Sequence, residues 1–337
     1  MRFGVVVLGV ALGAGLPACE EGTGWYRAEE KLYQGIPVRV GFEPKDDALA
    51  SKVWAYLRGV DDVFNIYRDT SELGRINRME ERAGVAISED LARALRLSRL
   101  VHRKTAGAFD PTVGRLVRLW KKAAREDEIP AQEKIEKALA SCGLDKVTLR
   151  GDRLSVACPG LRFDFGGLVK GLAVDRAVDM LRAGGARAAL VQIGGETAAF
   201  GLSPQQRPHV IGIQHPERLD RIRARISAPD PEAGVSVSTS GNYRNPVVIG
   251  GKAFYHIVDP RTGRPADTRV LSVSVAFPQT GKNGLADGLT TACAVLGPKR
   301  CLPVVTSLGG QVLFLLESDG GITEQRSPGW DRFSPKQ

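Results

Sequence analysis

Residues 164–171 carry the stretch Asp164-Phe165-Gly166-Gly167-Leu168-Val169-Lys170-Gly171, which joins the end of a predicted strand to the start of a predicted helix. Glycines at such a junction let backbone amides approach a phosphate closely, and a helix N-terminus favours negative charge. Lys170 adds a positive charge at the same place. The stretch is neither a GxGxxG fingerprint nor a Walker loop, because no Ser or Thr follows a Gly-Lys pair. It indicates a phosphate site, although an ordinary glycine turn with a surface lysine has the same pattern.

A second motif lies downstream, in Ala286-Asp287-Gly288-Leu289-Thr290-Thr291. Asp287 and Thr291 are four residues apart, so on a helix both side chains project from one face. One carboxylate and one hydroxyl suit Mg²⁺, which keeps several waters and takes further oxygens from substrate phosphates or a backbone carbonyl. The alternative is an acidic residue that favours the helix dipole, with a buried threonine.

Three further segments complete the set of candidate motifs. Ile193-Gly194-Gly195-Glu196 ends a predicted buried strand with a Gly-Gly turn, and Ser238-Thr239-Ser240-Gly241 ends another with hydroxyls and amides. Residues 255–265 place His256 in a predicted strand, before an Asp-Pro turn. A single histidine is structural in many proteins and catalytic in others, and beside a tight turn we weigh the two roles equally.

The spacing of apolar residues predicts helices and strands that do not alternate strictly. The predicted helices cover 47–67, 88–105, 112–125, a segment from Pro130 to Gly143, 174–181 and 284–295. The predicted strands cover 36–42, 146–149, 154–157, 188–193, 210–214, 235–239, 247–249, 270–276 and 312–316. This order favours an α+β fold over a doubly wound sheet. Because no internal repeat or Gly/Ser linker divides the chain, we expect a single domain over residues 35–330.

The first residues have the features of a lipoprotein signal peptide. Arg2 precedes an apolar run over 3–12, which is shorter than the roughly 20 residues that a permanent membrane span needs. The run leads to Leu16-Pro17-Ala18-Cys19, a cleavage box in which a small residue precedes a cysteine. We therefore expect a signal peptide over 1–18, a lipid on Cys19 and a polar tether over 19–34. The protein would then be exported and anchored on the extracytoplasmic side of a membrane; the alternative is a plain secretory peptide with an incidental cysteine.

The composition is that of a globular protein, with 43% hydrophobic and 25% charged residues. The formal net charge of +9 comes from scattered basic residues without interleaved aromatic residues, which argues against nucleic-acid binding. No CxxC or Cys/His cluster suggests structural zinc. An oxidising compartment allows one or two disulfides, but the spacing does not choose partners among Cys142, Cys158, Cys293 and Cys301.

Taken in chain order, these segments resemble the ApbE family, the FAD:protein FMN transferases. The resemblance also includes residues 34–40, 67–77 and 109–114, and extends from about Gln34 to Leu316. Two residues depart from the family pattern. Gln34 stands where many members have methionine, and Gly288 stands where alanine is usual, which lowers helix propensity but removes no metal ligand.

The resemblance implies an ApbE-like fold of mixed or antiparallel sheets with flanking helices, and an FAD site in a cleft between subdomains. It implies Mg²⁺-dependent transfer of FMN from FAD to a threonine hydroxyl of an acceptor flavoprotein, with release of AMP. His256 matches the residue suggested as the base. Residues at FAD-site positions are Gln34, Tyr67, Asp110, Thr112, Asp164, Lys170, Thr239, Ser240, Gly241 and Ile257. Residues at Mg²⁺ positions are Gly167 through its carbonyl, Asp287, Thr290 and Thr291.

Two other functions stay open at this point. A hydrolase would use water in place of the threonine and release FMN and AMP. A lipid-anchored flavin-binding or assembly protein would keep the fold without catalysis. A protein that only binds flavin needs no catalytic base. This non-catalytic function is therefore disfavoured by the presence of Asp287, Thr291, Lys170 and His256. The resemblance further suggests acceptors among subunits of membrane redox pumps or other exported flavoproteins.

Overall fold

The computed structural model describes residues 24–242, 247–266 and 269–335. Within these residues, no helix combines the length and the apolar character needed to cross a bilayer. The predicted signal peptide and Cys19 lie outside the described residues, so the lipid anchor stays a prediction.

The helices and strands follow one another without strict alternation. The helices are α1 (Asp47–Phe64), α2 (Glu72–Arg78), α3 (Glu89–Lys104), α4 (Gly114–Glu126), α5 (Gln132–Leu139), α6 (Val169–Ala183) and α7 (Asn283–Ser307). The strands are β1 (Tyr26–Leu32), β2 (Ile36–Glu43), β3 (Val85–Ala86), β4 (Val147–Arg150), β5 (Arg153–Val156), β6 (Ala188–Ile193), β7 (Glu196–Phe200), β8 (Val210–Gln214), β9 (Ile222–Ser227), β10 (Val235–Gly241), β11 (Val247–Ile249), β12 (Lys252–Phe254), β13 (Val270–Phe277), β14 (Gln311–Ser318) and β15 (Gly321–Arg326).

An eight-stranded sheet forms the centre of the fold, in the order β1-β2-β6-β7-β10-β13-β14-β15. Each neighbouring pair in this sheet is antiparallel. Smaller sheets are β3-β5-β4, β8-β9 and β11-β12. Antiparallel strands together with separate helices confirm the predicted α+β class.

Both faces of the large sheet are covered. Along β14, Val312 and Phe314 pack on the face that carries the helices, whereas Leu313 and Leu315 pack on the opposite face. Successive strand residues point to opposite sides, so one strand contributes to two cores. Helices α1 and α6 cover the β2-β6-β7 end, α7 and α3 cover the β13-β14 end, and the β8-β9 hairpin covers the other face.

Strand β1 corrects the predicted tether. Residues 26–32 pair with β2 along their whole length, from Tyr26 opposite Phe42 to Leu32 opposite Ile36. The Trp54 Nε1 of α1 donates a hydrogen bond to the Tyr26 hydroxyl at 2.9 Å. The sequence does not show the alternation of apolar and polar residues that is typical of a strand, because the charged Glu30 occupies one of the inward-facing positions of β1. Any tether therefore ends before Tyr26.

Helix α7 is longer than predicted and contains a break. Gly297 has φ 68° and ψ 173°, so the helix is interrupted there, and Pro298 starts the second half. A disulfide joins Cys293 to Cys301 across the break, with their Cα atoms 5.1 Å apart. This settles the pairing that the spacing left open, and Cys142 and Cys158 are free thiols. Eight residues of straight helix would separate these Cα atoms by about 12 Å, so the chain changes direction at the break and the disulfide holds that turn.

Candidate active site

The centre of the candidate site is the contact between the glycine stretch and the first half of α7. Asp287 is nearly fully buried, with 1% of its surface exposed. Its Oδ2 atom accepts a hydrogen bond from the Gly171 backbone N–H at 3.0 Å, and the Lys170 Nζ lies 3.5 Å away. Two motifs more than a hundred residues apart in the sequence therefore meet at one carboxylate, as predicted.

Lys170 lies between two buried carboxylates. Its Nζ is 3.5 Å from Asp287 Oδ2 and 3.5 Å from Glu196 Oε1, and a quarter of its side chain remains exposed. Desolvation opposes the charged ammonium, but Asp287 and Glu196 outweigh this effect and raise the pKa of Lys170. Burial raises the pKa of Asp287, while Lys170 and the Gly171 N–H act against that rise. We infer that Lys170 is charged and forms an ion pair with both carboxylates. The sequence marked Glu196 only as the end of a Gly-Gly turn and missed its charge pairing.

Hydroxyl and carbonyl oxygens surround the same region. The Thr291 hydroxyl donates to the Gly167 carbonyl at 3.3 Å, and the Thr290 hydroxyl donates to the Asp287 carbonyl at 2.8 Å. Thr290 also bonds to the Ser240 hydroxyl at 2.8 Å. A Cβ on Gly167 would lie 2.5 Å from Thr291 Oγ1, so this approach requires glycine.

This donor set fits Mg²⁺. The described residues contain no group of three or more His, Cys, Asp or Glu side chains that could hold a metal. What the site offers instead is one buried carboxylate, threonine hydroxyls and a backbone carbonyl, which are hard oxygen ligands. A cation that keeps waters and takes further oxygens from a phosphate matches such a sparse set.

Asp175 fixes the start of α7, a role that the sequence did not reveal. Its two carboxylate oxygens accept hydrogen bonds from the backbone N–H groups of Asn283 and Gly284, each at 2.8 Å. The Asn283 side chain in turn donates to the carbonyls of Thr197 and Val237. The position of Asp287 one turn further on thus depends on buried polar contacts between α6, α7 and the sheet. Asp175 was missed because it lies in the apolar pattern of α6.

Replacing Asp175 by asparagine is expected to change how stability depends on pH. Burial raises the pKa of Asp175 to about 6, from 3.8, although the two N–H donors act against the rise. The unfolded chain then releases this proton at lower pH than the folded chain, so the wild type loses stability as pH rises from about 4 to 6. Over this pH range, the free energy of unfolding of the wild type falls by an amount on the order of 2–3 kcal/mol. Urea unfolding of both proteins at pH 4 and pH 7 measures it. Equal pH dependence in the two proteins would contradict the assignment.

Asp110, Thr112 and Asp164 form a second group beside the glycine stretch. Asp110 Oδ1 accepts from the Thr112 N–H at 2.8 Å and from its hydroxyl at 2.6 Å. The Asp164 N–H donates to the Pro111 carbonyl at 2.7 Å, and Asp164 Oδ1 accepts from the Gly166 N–H at 2.8 Å. The Thr112 hydroxyl also accepts from Gly143 N–H, so within the protein it orients the Asp110 carboxylate.

His256 does not lie in a strand, which corrects the prediction. It follows the end of β12 in a bend, where it is exposed between the buried Tyr255 and Ile257. Desolvation by the surrounding protein, with the charges of Lys170 and Lys121, lowers the pKa of His256. The imidazole is neutral at pH 7 and can accept a proton.

The remaining predicted site residues differ in the contacts that they make. Tyr67 is 57% exposed and its ring lies 5.1 Å from the Lys121 Nζ. The Thr239 hydroxyl bonds to Ser274 at 2.8 Å, and Gly241 ends β10 beyond Ser240. Gln34 is exposed in the turn before β2, with φ 65°. Among the described residues, no hydrogen bond or ion pair joins Gln34 to the other predicted site residues.

The chain is similar to known proteins along most of its length. The ApbE family model matches residues 32–315. A FAD:protein FMN transferase of Vibrio cholerae is 33% identical over 290 residues, which cover 86% of this chain and 85% of the relative. A FAD:protein FMN transferase of Treponema pallidum is 32% identical over 286 residues, which cover 80% of this chain and 77% of the relative. The solved flavin transferase ApbE from Vibrio cholerae has a TM-score of 0.80 at 29% identity, covering 92% and 99% of the two chains.

A second solved structure, the ApbE protein from Thermotoga maritima, also has a TM-score of 0.80, at 28% identity, and covers 93% of this chain and 100% of its own. The residues that the family model matches include each segment that contributes to the candidate site. The chain belongs to the ApbE family.

Proposed function

We propose that the protein transfers FMN from FAD to a threonine hydroxyl of an acceptor flavoprotein and releases AMP. The observation that carries this proposal is the meeting of Asp287, Lys170 and the Thr291–Gly167 contact at the glycine stretch. It is supported by relatives that are named FAD:protein FMN transferase. In the proposed reaction the threonine oxygen forms a bond to the FMN phosphorus, and the bond from that phosphorus to the AMP oxygen breaks.

The chain's own residues supply binding and charge for this reaction. Lys170 offers a positive charge to the pyrophosphate from a position that Asp287 and Glu196 hold fixed. Asp287, Thr290, Thr291 and the Gly167 carbonyl would hold Mg²⁺. When bound, Mg²⁺ neutralises charge on the phosphate oxygens. Transfers of this kind depend chiefly on position and charge, which matches a site rich in oxygen ligands and amide donors.

His256 is the proposed base for the acceptor threonine. Desolvation, and then the charges of Lys170 and Lys121, lower the pKa of His256, so a neutral ring nitrogen is available near pH 7. Its exposure leaves room for a hydroxyl delivered by a second protein. Asp110, Asp164, Tyr67 and Ile257 would line the FAD site.

We propose that this chemistry takes place outside the cytoplasm, at a membrane. The proposal rests on the signal-peptide pattern before Cys19, and the Cys293–Cys301 disulfide supports an oxidising compartment. A lipid on Cys19 would raise the effective concentration of acceptors embedded in the same membrane, such as redox-pump subunits.

The test is a labelling reaction with the purified protein, FAD, Mg²⁺ and a threonine-bearing acceptor flavoprotein domain. We expect a fluorescent acceptor band on a denaturing gel, and none when the target threonine is replaced by alanine or when EDTA removes the metal. FMN and AMP formed without a labelled acceptor would instead support the hydrolase. Intact FAD, bound but not cleaved, would support a non-catalytic binding protein.

A further inference from the structure

Three separate segments bring four arginines to one surface beside the candidate site. Arg78 ends α2, Arg115 and Arg118 lie in the first turns of α4, and Arg162 precedes the glycine stretch. The Gly114 N–H donates to the Arg162 carbonyl at 3.0 Å, which joins α4 to this segment. We refer to Arg78, Arg115, Arg118 and Arg162 as the arginine surface.

Buried contacts hold the arginine surface in place. The Asn77 side chain donates to the Phe163 carbonyl at 2.9 Å and accepts from its N–H at 2.7 Å, which fixes the end of α2 beside Arg162. Arg82 is 3% exposed, and it donates to the carbonyls of the segment before Arg162. These acceptors are Cys158 at 2.7 Å, Pro159 at 2.9 Å and Leu161 at 2.9 Å. The guanidinium groups therefore extend from a rigid base.

The charges on the arginine surface are poorly balanced within the protein. Asp69 forms an ion pair with Arg78. In the described parts of the chain, Arg115, Arg118 and Arg162 form no ion pair with a carboxylate. Burial and then the positive charges of Arg118, Arg115 and Arg78 lower the pKa of Arg162. Like charges so close together cost folding free energy, and an anionic partner would remove that cost.

The arginine surface is continuous with the opening of the candidate site. Lys121 lies one turn beyond Arg118 on α4, and its ammonium contacts both the hydroxyl and the ring of Tyr67. Lys121 is also one of the two lysines whose charges act on His256. Arg162 stands two residues before Asp164. A chain that delivers its hydroxyl to His256 would therefore pass near these positive groups.

We propose that the arginine surface docks an acidic segment of the acceptor protein, next to the threonine that receives FMN. This inference rests on the proposed transferase function. FAD carries a single pyrophosphate, which Lys170 and a cation held by the oxygen ligands of α7 would match without further arginines. Guanidinium groups on separate segments match an extended anion, and those of Arg115 and Arg118, which form no ion pair within the described residues, can each bind a carboxylate through two parallel hydrogen bonds. Such pairs mainly fix orientation and speed association, so they determine which protein is labelled.

The test removes two charges and separates acceptor binding from FAD binding. The double variant Arg115→Gln/Arg118→Gln is compared with Arg223→Gln/Arg225→Gln, which removes the same charge from exposed positions of β9. We expect the first variant to raise the KM for an acceptor domain about tenfold, with kcat and FAD affinity within twofold of wild type. The β9 variant should match wild type. FAD affinity is measured by quenching of flavin fluorescence.

A direct binding measurement keeps this proposal independent of the transferase assay. The probe is a fluorescein-labelled dodecapeptide of Asp and Gly with one central Thr, and its binding is followed by anisotropy at increasing NaCl. Wild type and the β9 variant should bind it in a salt-dependent manner, and the Arg115→Gln/Arg118→Gln variant should not. Equal binding by all three proteins, or a loss of FAD affinity with an unchanged acceptor KM, would overturn the proposal. A failure of labelling with intact peptide binding would refute only the transferase function.

Discussion

Replacing Asp287 by asparagine is expected to lower the rate of FMN transfer about a thousandfold, at saturating FAD and acceptor. Asp287 is the only carboxylate among the predicted Mg²⁺ ligands, and it also accepts the Gly171 N–H and pairs with Lys170. The amide keeps the size of the side chain but removes the charge that both the metal and the ammonium require. The measurement is the initial rate of acceptor labelling over a titration of Mg²⁺.

The control for this substitution is Asp179→Asn. Asp179 lies on α6 with 47% of its side chain exposed, and its contact with Arg93 is 3.9 Å. An exposed pair of this kind contributes little to stability, so labelling should stay at the wild-type rate. Asp287 has two proposed roles, pairing with Lys170 and binding Mg²⁺. Glu196→Gln separates them, because it removes the other carboxylate that pairs with Lys170 and leaves the predicted metal ligand Asp287 in place. We expect it to weaken FAD binding with a smaller loss of rate. Near wild-type labelling by a folded Asp287→Asn protein would refute the site.

The placements that the sequence predicted correctly belong to local patterns. The i and i+4 spacing of Asp287 and Thr291 places both on α7, and the glycine stretch leads into α6, which begins at Val169. The family resemblance implied that these two motifs share a metal site, and in the structure the Thr291 hydroxyl lies 3.3 Å from the Gly167 carbonyl. Periodicity alone could not have supplied that contact, because 124 residues separate the two positions.

The features that escaped prediction depend on tertiary packing. The pairing of Lys170 with Glu196 requires the start of β7 to lie beside α6, and the capping of α7 by Asp175 requires α6 to lie beside α7. Neither contact has a local signature. The strand proposed around His256 was wrong because the segment has apolar neighbours at alternate positions but lies in a bend after β12. Alternation describes an extended chain, whereas a strand also needs a hydrogen-bonded neighbour.

Replacing Gly171 by alanine is expected to destabilise the protein by about 3 kcal/mol or more and to abolish labelling. A Cβ at this position would lie 2.2 Å from the Asn283 carbonyl oxygen and 2.8 Å from the Gly284 Cα. These are backbone atoms of α7, so the two helices would have to separate. Separation would also break the hydrogen bond from the Gly171 N–H to Asp287. Unfolding by urea and acceptor labelling measure the two effects.

Gly288→Ala is the matched control, since it adds the same methyl group on the other helix of this contact. Its Cβ would meet only side-chain atoms, Val101 Cγ2 at 3.1 Å and Leu168 Cδ1 at 3.4 Å. Alanine gains about 1 kcal/mol of helix propensity over glycine, which offsets a small rearrangement of these side chains. We therefore expect stability within about 1 kcal/mol of wild type and normal labelling. If both alanine variants behaved alike, the close approach of α6 and α7 at Gly171 could not be what positions Asp287.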